Sequence, residues 1–269
     1  MSRSARKGIT LTEVIVVIGI IVLLLGLMLP AVRRVREPAA RMSCANNLHQ
    51  LVLAFLNYES MSMGRTSDTS LKGVFPPGCI GPGTTPEERL SWMVAMLPYM
   101  EQNNLYGQID LKKGYNGNLP ALQTRIMSYR CPGEPKLPDN SNELTTYVAM
   151  AGIGLDAATR PAGAPGNGFI GYDRLTSSAM IKDGAANTIA LTETRSGLGP
   201  WARGGSSNVR GFDPDVPIYG DEGQFGGHKK GMNAAMADGS VRFISSSIDP
   251  GKLAAAITID GGEPQVDLE

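Results

Sequence analysis

The chain is poor in cysteine, with three in 269 residues, and no two of them stand at C-x-x-C spacing. That argues against a disulfide-stapled scaffold and, for want of a C-x-x-C pair, against a zinc site. It has no charge excess, since 25 basic residues face 25 acidic ones. The basic footprint of a nucleic-acid-binding protein is therefore missing. There is no G-x-S-x-G nucleophile elbow, no Walker-type P-loop and no H-E-x-x-H pair. No fixed-period repeat is visible, which argues against a solenoid.

What is plentiful is glycine and proline, 33 and 18 residues, a usage that suits a turn-rich β domain. The chain also carries one membrane-length apolar run, Ile9–Leu29, interrupted by Thr10, Thr12, Glu13, Gly19 and Gly26. As a helix it would be about 31 Å long, enough to cross a bilayer core. A secretory signal peptide would be shorter and end at a small-residue cleavage site. Here the run leads into Pro-Ala-Val-Arg-Arg-Val-Arg, so it is expected to stay on the mature protein. Arg3, Arg6 and Lys7 precede it, and Arg33, Arg34, Arg36 and Arg41 follow it. Lysine and arginine counts therefore do not settle its orientation. Glu13 is the anomaly, because a carboxylate near mid-membrane costs about 2.5–3.5 kcal/mol and so calls for a partner or a job.

A basic leader, Gly8, apolar Ile9, a glutamate as the fifth residue after the glycine, and Pro30 together resemble the class III signal of type IV prepilins and pseudopilins. The resemblance implies a prepilin peptidase that cuts between Gly8 and Ile9 and methylates the new amine. It also implies a helix-bending role for Pro30. Glu13 would then pair with the terminal amine of a neighbouring subunit and set the axial register as helices bundle. The alternative is an ordinary anchor with Glu13 at the headgroup level.

Beyond the run, Cys44, Leu48, Leu51, Phe55 and Tyr58 recur at helical spacing as one apolar stripe. This half of the helix needs a domain to pack on. Pro38 predicts a bend near Glu37–Pro38, or two helices. His49 lies beside the stripe and reads as a surface residue. The expected organisation is a leader at 1–8, a transmembrane segment at 9–29, a helical extension at 30–60 and a globular α+β domain at 61–269. In that domain "RLSWMVAMLPYMEQNNLYGQ" predicts a helix stopped near Pro98. "TTYVAMAG", "NTIALTET" and "GMNAAMADGSVRFIS" predict strands of an antiparallel sheet. Gly152–Gly171 reads as an exposed loop, and Asp238-Gly239 as a two-residue hairpin turn with positive φ at both positions.

His228 stands ten residues before Asp238, giving His, nine residues, Asp-Gly. With "RCPGEP", "DGAANTIALTET" and "SWMVAMLPYMEQNNLY" in order, the chain from Gly8 to about Gly262 closely resembles the pilin-like DUF1559 family of planctomycetes and their relatives. That family carries an H-X9-DG C-terminal motif, here His228, Asp238 and Gly239. The resemblance implies a pilin-like architecture: a long N-terminal transmembrane helix packed on a mainly antiparallel β-sheet domain. It places the chain in the inner membrane as a single-pass protein, with its C-terminal domain outside the cytoplasm and membrane lipid and other pilin-like subunits as partners. Cys44 and Cys131 match family positions, whereas Cys79 does not. In an oxidising compartment this favours a Cys44–Cys131 bridge, with three buried thiols as the alternative.

Chemistry is thin. An enzyme reading would recruit His228 and Asp238 as base and orienter, but the turn already explains the aspartate. Asp213, Asp215, Asp221 and Glu222 fall in one loop and are candidate calcium ligands, against the plainer reading of a solvated acidic loop. The expected function is assembly rather than catalysis. The chief alternative is a membrane-anchored extracytoplasmic binding or sensor protein.

Overall fold

A computed structural model describes residues 10–63, 73–133, 141, 143–220, 223–262 and 268, with only the helical backbone at 27–35. The chain divides into two compact units, Met1–Ala40 and Arg41–Glu269. Helix α1, Leu11–Ser62, begins in the first and ends in the second.

In the first unit, the helix start is closed by a capping box. The Glu13 carboxylate accepts from Thr10 N–H and from the Thr10 hydroxyl, both at 2.8 Å. Glu13 N–H lies 3.4 Å from Thr10 Oγ1 in return. The large apolar side chains from Leu11 to Leu25 are 43–77% exposed. Among the described residues no helix is long and apolar enough to cross a membrane. The described side chains of the apolar run are those of residues 10–26. The helical backbone continues through Pro30 and Pro38. Two separate helices do not form, because a proline removes one hydrogen bond and the flanking turns keep theirs.

The second unit begins inside α1. Cys44, Leu48, Leu51 and Phe55 are fully buried there, as the stripe required, while Asn46, Gln50 and Asn57 face solvent. A short antiparallel pair follows, β1 (Cys79–Ile80) with β2 (Leu90–Ser91). Three short helices come next: α2 (Trp92–Met96), α3 (Asn103–Tyr106) and α4 (Leu119–Leu122). The Ser91 hydroxyl caps α2 by accepting from Met93 N–H, and Pro98 turns its end into a 3-10 segment.

The sheet has five strands, β3 (Tyr147–Ile153), β4 (Ile189–Glu193), β5 (Val209–Phe212), β6 (Gly231–Met236) and β7 (Val241–Ser245), in the order β5-β3-β4-β6-β7. All neighbours are antiparallel except β3 and β5. The sheet is thus mixed but mainly antiparallel, in an α+β fold. β3 is buried from Tyr147 to Gly152 because both faces are covered. Tyr147, Ala149 and Ala151 join a core with the α1 stripe, Trp92 and Phe169. Val148 and Met150 join a second core with Phe212, Met232 and the last helix, α5 (Pro250–Ile257). Phe55 ties the first core together, 4.9 Å from Trp92 and 5.2 Å from Phe169 between ring centroids.

Two expectations are corrected here. Gly152–Gly171 is not an exposed loop throughout: Ala157, Ala158, Asn167, Phe169 and Ile170 are buried. Its glycines let the backbone return against β3. A Cβ on Gly168 would lie 2.6 Å from Gly152 N. The β6–β7 turn is also different. Gly239 N–H bonds to Met236 O at 3.0 Å and Met236 N–H to Ser240 O at 2.8 Å. Only Gly239 has positive φ, +94°, and Asp238 does not. This is a three-residue loop, a turn followed by a glycine bulge.

Candidate functional site

The family-motif histidine is positioned by a glycine-rich approach and a tight turn. His228 N–H bonds to Gly231 O at 3.0 Å, so the residue sits just before β6. Its imidazole points inward and is buried. The residue it meets is not Asp238. His228 Nε2 lies 3.3 Å from Glu193 Oε1, at the end of β4. Asp238 stands at the far end of β6, a strand of six residues and so roughly 17 Å long. Its carboxylate accepts from Ser240 N–H at 2.8 Å and the Ser240 hydroxyl at 2.7 Å. A His228–Asp238 base and orienter pair is therefore absent from this fold, for the plain reason that a strand separates them.

Glu193 is fully buried, and its oxygens are used in different directions. Oε2 accepts from the main-chain N–H of Asn233 at 2.7 Å. Oε1 accepts from Asn233 Nδ2 at 3.0 Å and faces the imidazole. Asn233 Nδ2 also reaches the Arg41 carbonyl of α1 at 3.2 Å. The pair lies directly against the disulfide joining Cys44 to Cys131, with Cys131 Sγ 3.7 Å from His228 Nε2. One donor atom from each of Cys44, Cys131, Glu193 and His228 lies within 4.8 Å of the other three, and all four residues are buried.

Each member is held by its own element. Cys44 rides on the buried stripe of α1. Cys131 is fixed by its N–H, which donates to Thr146 Oγ1 at 2.6 Å. Asn47, one turn along α1, donates to Arg130 O at 3.1 Å and lies 3.3 Å from the Tyr147 hydroxyl. Burial pushes that Tyr147 hydroxyl well above the usual tyrosine range, with the nearby Glu193 adding to it. Glycines let the walls close. A Cβ on Gly133 would lie 2.7 Å from His228 Cε1, and one on Gly227 would collide with the Glu193 carboxylate.

Among the described residues, the cluster takes in no other sequence-derived candidate. Gly8, Ile9, Asp221 and Glu222 are outside the described residues, and of Pro30 only the backbone is described. Glu13 caps α1, as given above. Gly239 closes the β6–β7 turn, where its carbonyl meets His49 Nδ1 at 2.7 Å. His49 is therefore an exposed residue with a partner on the sheet. The Asp213 carboxylate accepts from Asp215 N–H at 3.0 Å, and Gln224 braces the same loop from Asp213 and Val216. Glu193 escaped sequence reasoning. Its one signal is a charged residue ending the apolar strand "IALTE", where a buried charge needs a partner.

Cys79 is a buried free thiol. Burial pushes its pKa up to about 11, with Arg89 opposing. Neither a curated protein nor a solved structure matches the chain. A family model described as "Protein of unknown function (DUF1559)" matches residues 33–214 and 214–251, and the chain belongs to that family.

Proposed function

We propose that the protein is a pilin-like or pseudopilin-like structural subunit of the cell envelope, cut after Gly8 and assembled through its N-terminal helix. The observation that carries this reading is the bare apolar surface of α1 between Leu11 and Leu25, joined to a globular unit by one continuous helix. Such a surface must be covered, by lipid before assembly and by neighbouring helices after it. Prepilin peptidase, membrane lipid and other pilin-like subunits are the partners, and the globular unit stands outside the cytoplasm. The proposal gives the protein no catalytic role.

The Thr10–Glu13 capping box favours a second reading, a membrane-anchored binding or sensor protein. It gives Glu13 a local job that needs no neighbouring subunit. Mass spectrometry of the mature N-terminus separates the two. A chain starting at methylated Ile9, with Glu13→Ala blocking cross-linking between subunits but not membrane insertion, supports assembly. Retention of Met1–Gly8, or the absence of cross-links between wild-type subunits, refutes assembly and leaves the anchor; unimpaired cross-linking of Glu13→Ala refutes only the register role of Glu13.

A further inference from the structure

We infer that the dithiol form of this protein is a zinc site, built from Cys44 Sγ, Cys131 Sγ, His228 Nε2 and Glu193 Oε1. The bridge and the metal then exclude one another. Two thiolates, an imidazole and a carboxylate form a donor set that zinc takes in tetrahedral geometry, with Zn–S about 2.3 Å and Zn–N or Zn–O about 2.0–2.1 Å. Those bond lengths fix the edges of the tetrahedron. A nitrogen–oxygen edge is about 3.3 Å and a nitrogen–sulfur edge about 3.6 Å. The structure has His228 Nε2 3.3 Å from Glu193 Oε1 and 3.7 Å from Cys131 Sγ. Two edges of a zinc tetrahedron are thus present while the sulfurs are still joined. Once reduced, the sulfurs separate to about 3.8 Å to complete it.

The surroundings fit. The main-chain N–H of Asn233 holds Glu193 Oε2, which turns Oε1 toward the imidazole, and Asn233 Nδ2 supports Oε1 itself. Such outer contacts orient ligands in metal sites. The four ligands come from α1, the segment after Tyr129, the end of β4 and the turn before β6, so a bound ion would clamp the same elements that the disulfide clamps. The chemistry balances with a dithiol as reductant. Two electrons and two protons pass to the cystine, the Cys44–Cys131 bond breaks to two thiols, and the dithiol closes to its own disulfide. Zinc then displaces the two thiol protons to solvent, while His228 supplies a lone pair and Glu193 an oxygen.

The test is a titration of the full chain in detergent with Co2+, in its oxidised form and after anaerobic reduction by a trialkylphosphine. The reduced chain should take one Co2+ with the intense visible bands of tetrahedral thiolate coordination, and Zn2+ should displace it. The oxidised chain should show no such bands. Asn233→Ala should weaken binding by about 10–100-fold, and His228→Ala should abolish the tetrahedral spectrum. If the reduced chain loses its fold without metal, one equivalent of Co2+ or Zn2+ should restore the circular dichroism of the oxidised chain. Failure to bind or to restore, bands of equal strength in the oxidised chain, or an unchanged spectrum in His228→Ala would each overturn the proposal. None of these outcomes depends on whether the helices assemble.

Discussion

Replacing both bridging residues, Cys44→Ala with Cys131→Ala, tests how the helix is tied to the sheet. The bridge joins positions 87 residues apart. In the chain-entropy account, closing a loop of that size removes about 4–5 kcal/mol of conformational freedom from the unfolded chain. Both sulfurs are buried in the core, so their loss also leaves a small void that adds to the deficit. With a urea slope of about 3 kcal/mol/M, the unfolding midpoint should fall by about 1.5 M. Trp92 and Trp201 are both fully buried, so tryptophan fluorescence of the full chain in detergent reports the transition. Circular dichroism should give the same midpoint. A fall below about 0.3 M with unchanged slope would refute the reasoning. The unfolded chain would then already be constrained between α1 and Cys131, and the bridge would restrict nothing.

Cys79 should resist alkylation in the folded protein at pH 8 and react on unfolding, because the thiolate is the nucleophile; fast native labelling would mean the thiol is accessible. Its pKa is raised from the ordinary 9.0 to about 11, so the folded state keeps a proton that the unfolded chain releases. The stability this contributes is full below pH 9 and is lost as pH rises toward 11. Urea midpoints across that window should fall less steeply in Cys79→Ala than in the wild type. Gly239→Ala should cost about 1–2 kcal/mol in a urea melt, since φ is +94° there and a Cβ is strained in that region. Asp238→Ala should cost about 1 kcal/mol through its two bonds to Ser240. An Asp238 loss several times larger would point to a role beyond the turn.

Periodicity made the α1 stripe legible, because one face of a helix meeting a core must repeat near 3.6 residues. Strands β3, β4, β6 and β7 were legible from short apolar runs between glycine-rich turns. β5, "VRGF", was not, since four residues with a central Arg-Gly carry no alternation and pair through a parallel neighbour distant in sequence. α5 was missed although Asp249 caps it and Pro250 opens it, because a small alanine-rich helix resembles loop until its apolar side finds the second core. The burial of Phe169 and Ile170 was hidden for a related reason: glycine signals a turn, and it also signals close backbone approach. At the site, His228 was visible as a motif residue, but its true partner was not. Sequence spacing suggested Asp238, whereas strand geometry puts residues on neighbouring strands together and separates the ends of one strand.

Glu193 shows what such a partner does. Register pairs Thr192 with Ala234 on β6, and the next main-chain donor, Asn233 N–H, bonds to the Glu193 side chain instead of its backbone. The carboxylate therefore finishes the ladder and opens the space that the imidazole fills. Glu193→Leu should leave Asn233 N–H and the imidazole short of an acceptor, at about 1–3 kcal/mol for each orphaned group, while Asn233 Nδ2 keeps the Arg41 carbonyl. His228→Leu should leave Oε1 with one contact fewer. Making both changes exchanges a buried polar pair for apolar contact, which is often neutral or favourable by about 1–4 kcal/mol, while Asn233 N–H stays orphaned. The double variant should thus be more stable than Glu193→Leu alone, a coupling of about 2 kcal/mol or more in a double-mutant cycle. Simple addition of the two losses would show that histidine and glutamate share a cavity without acting as a pair.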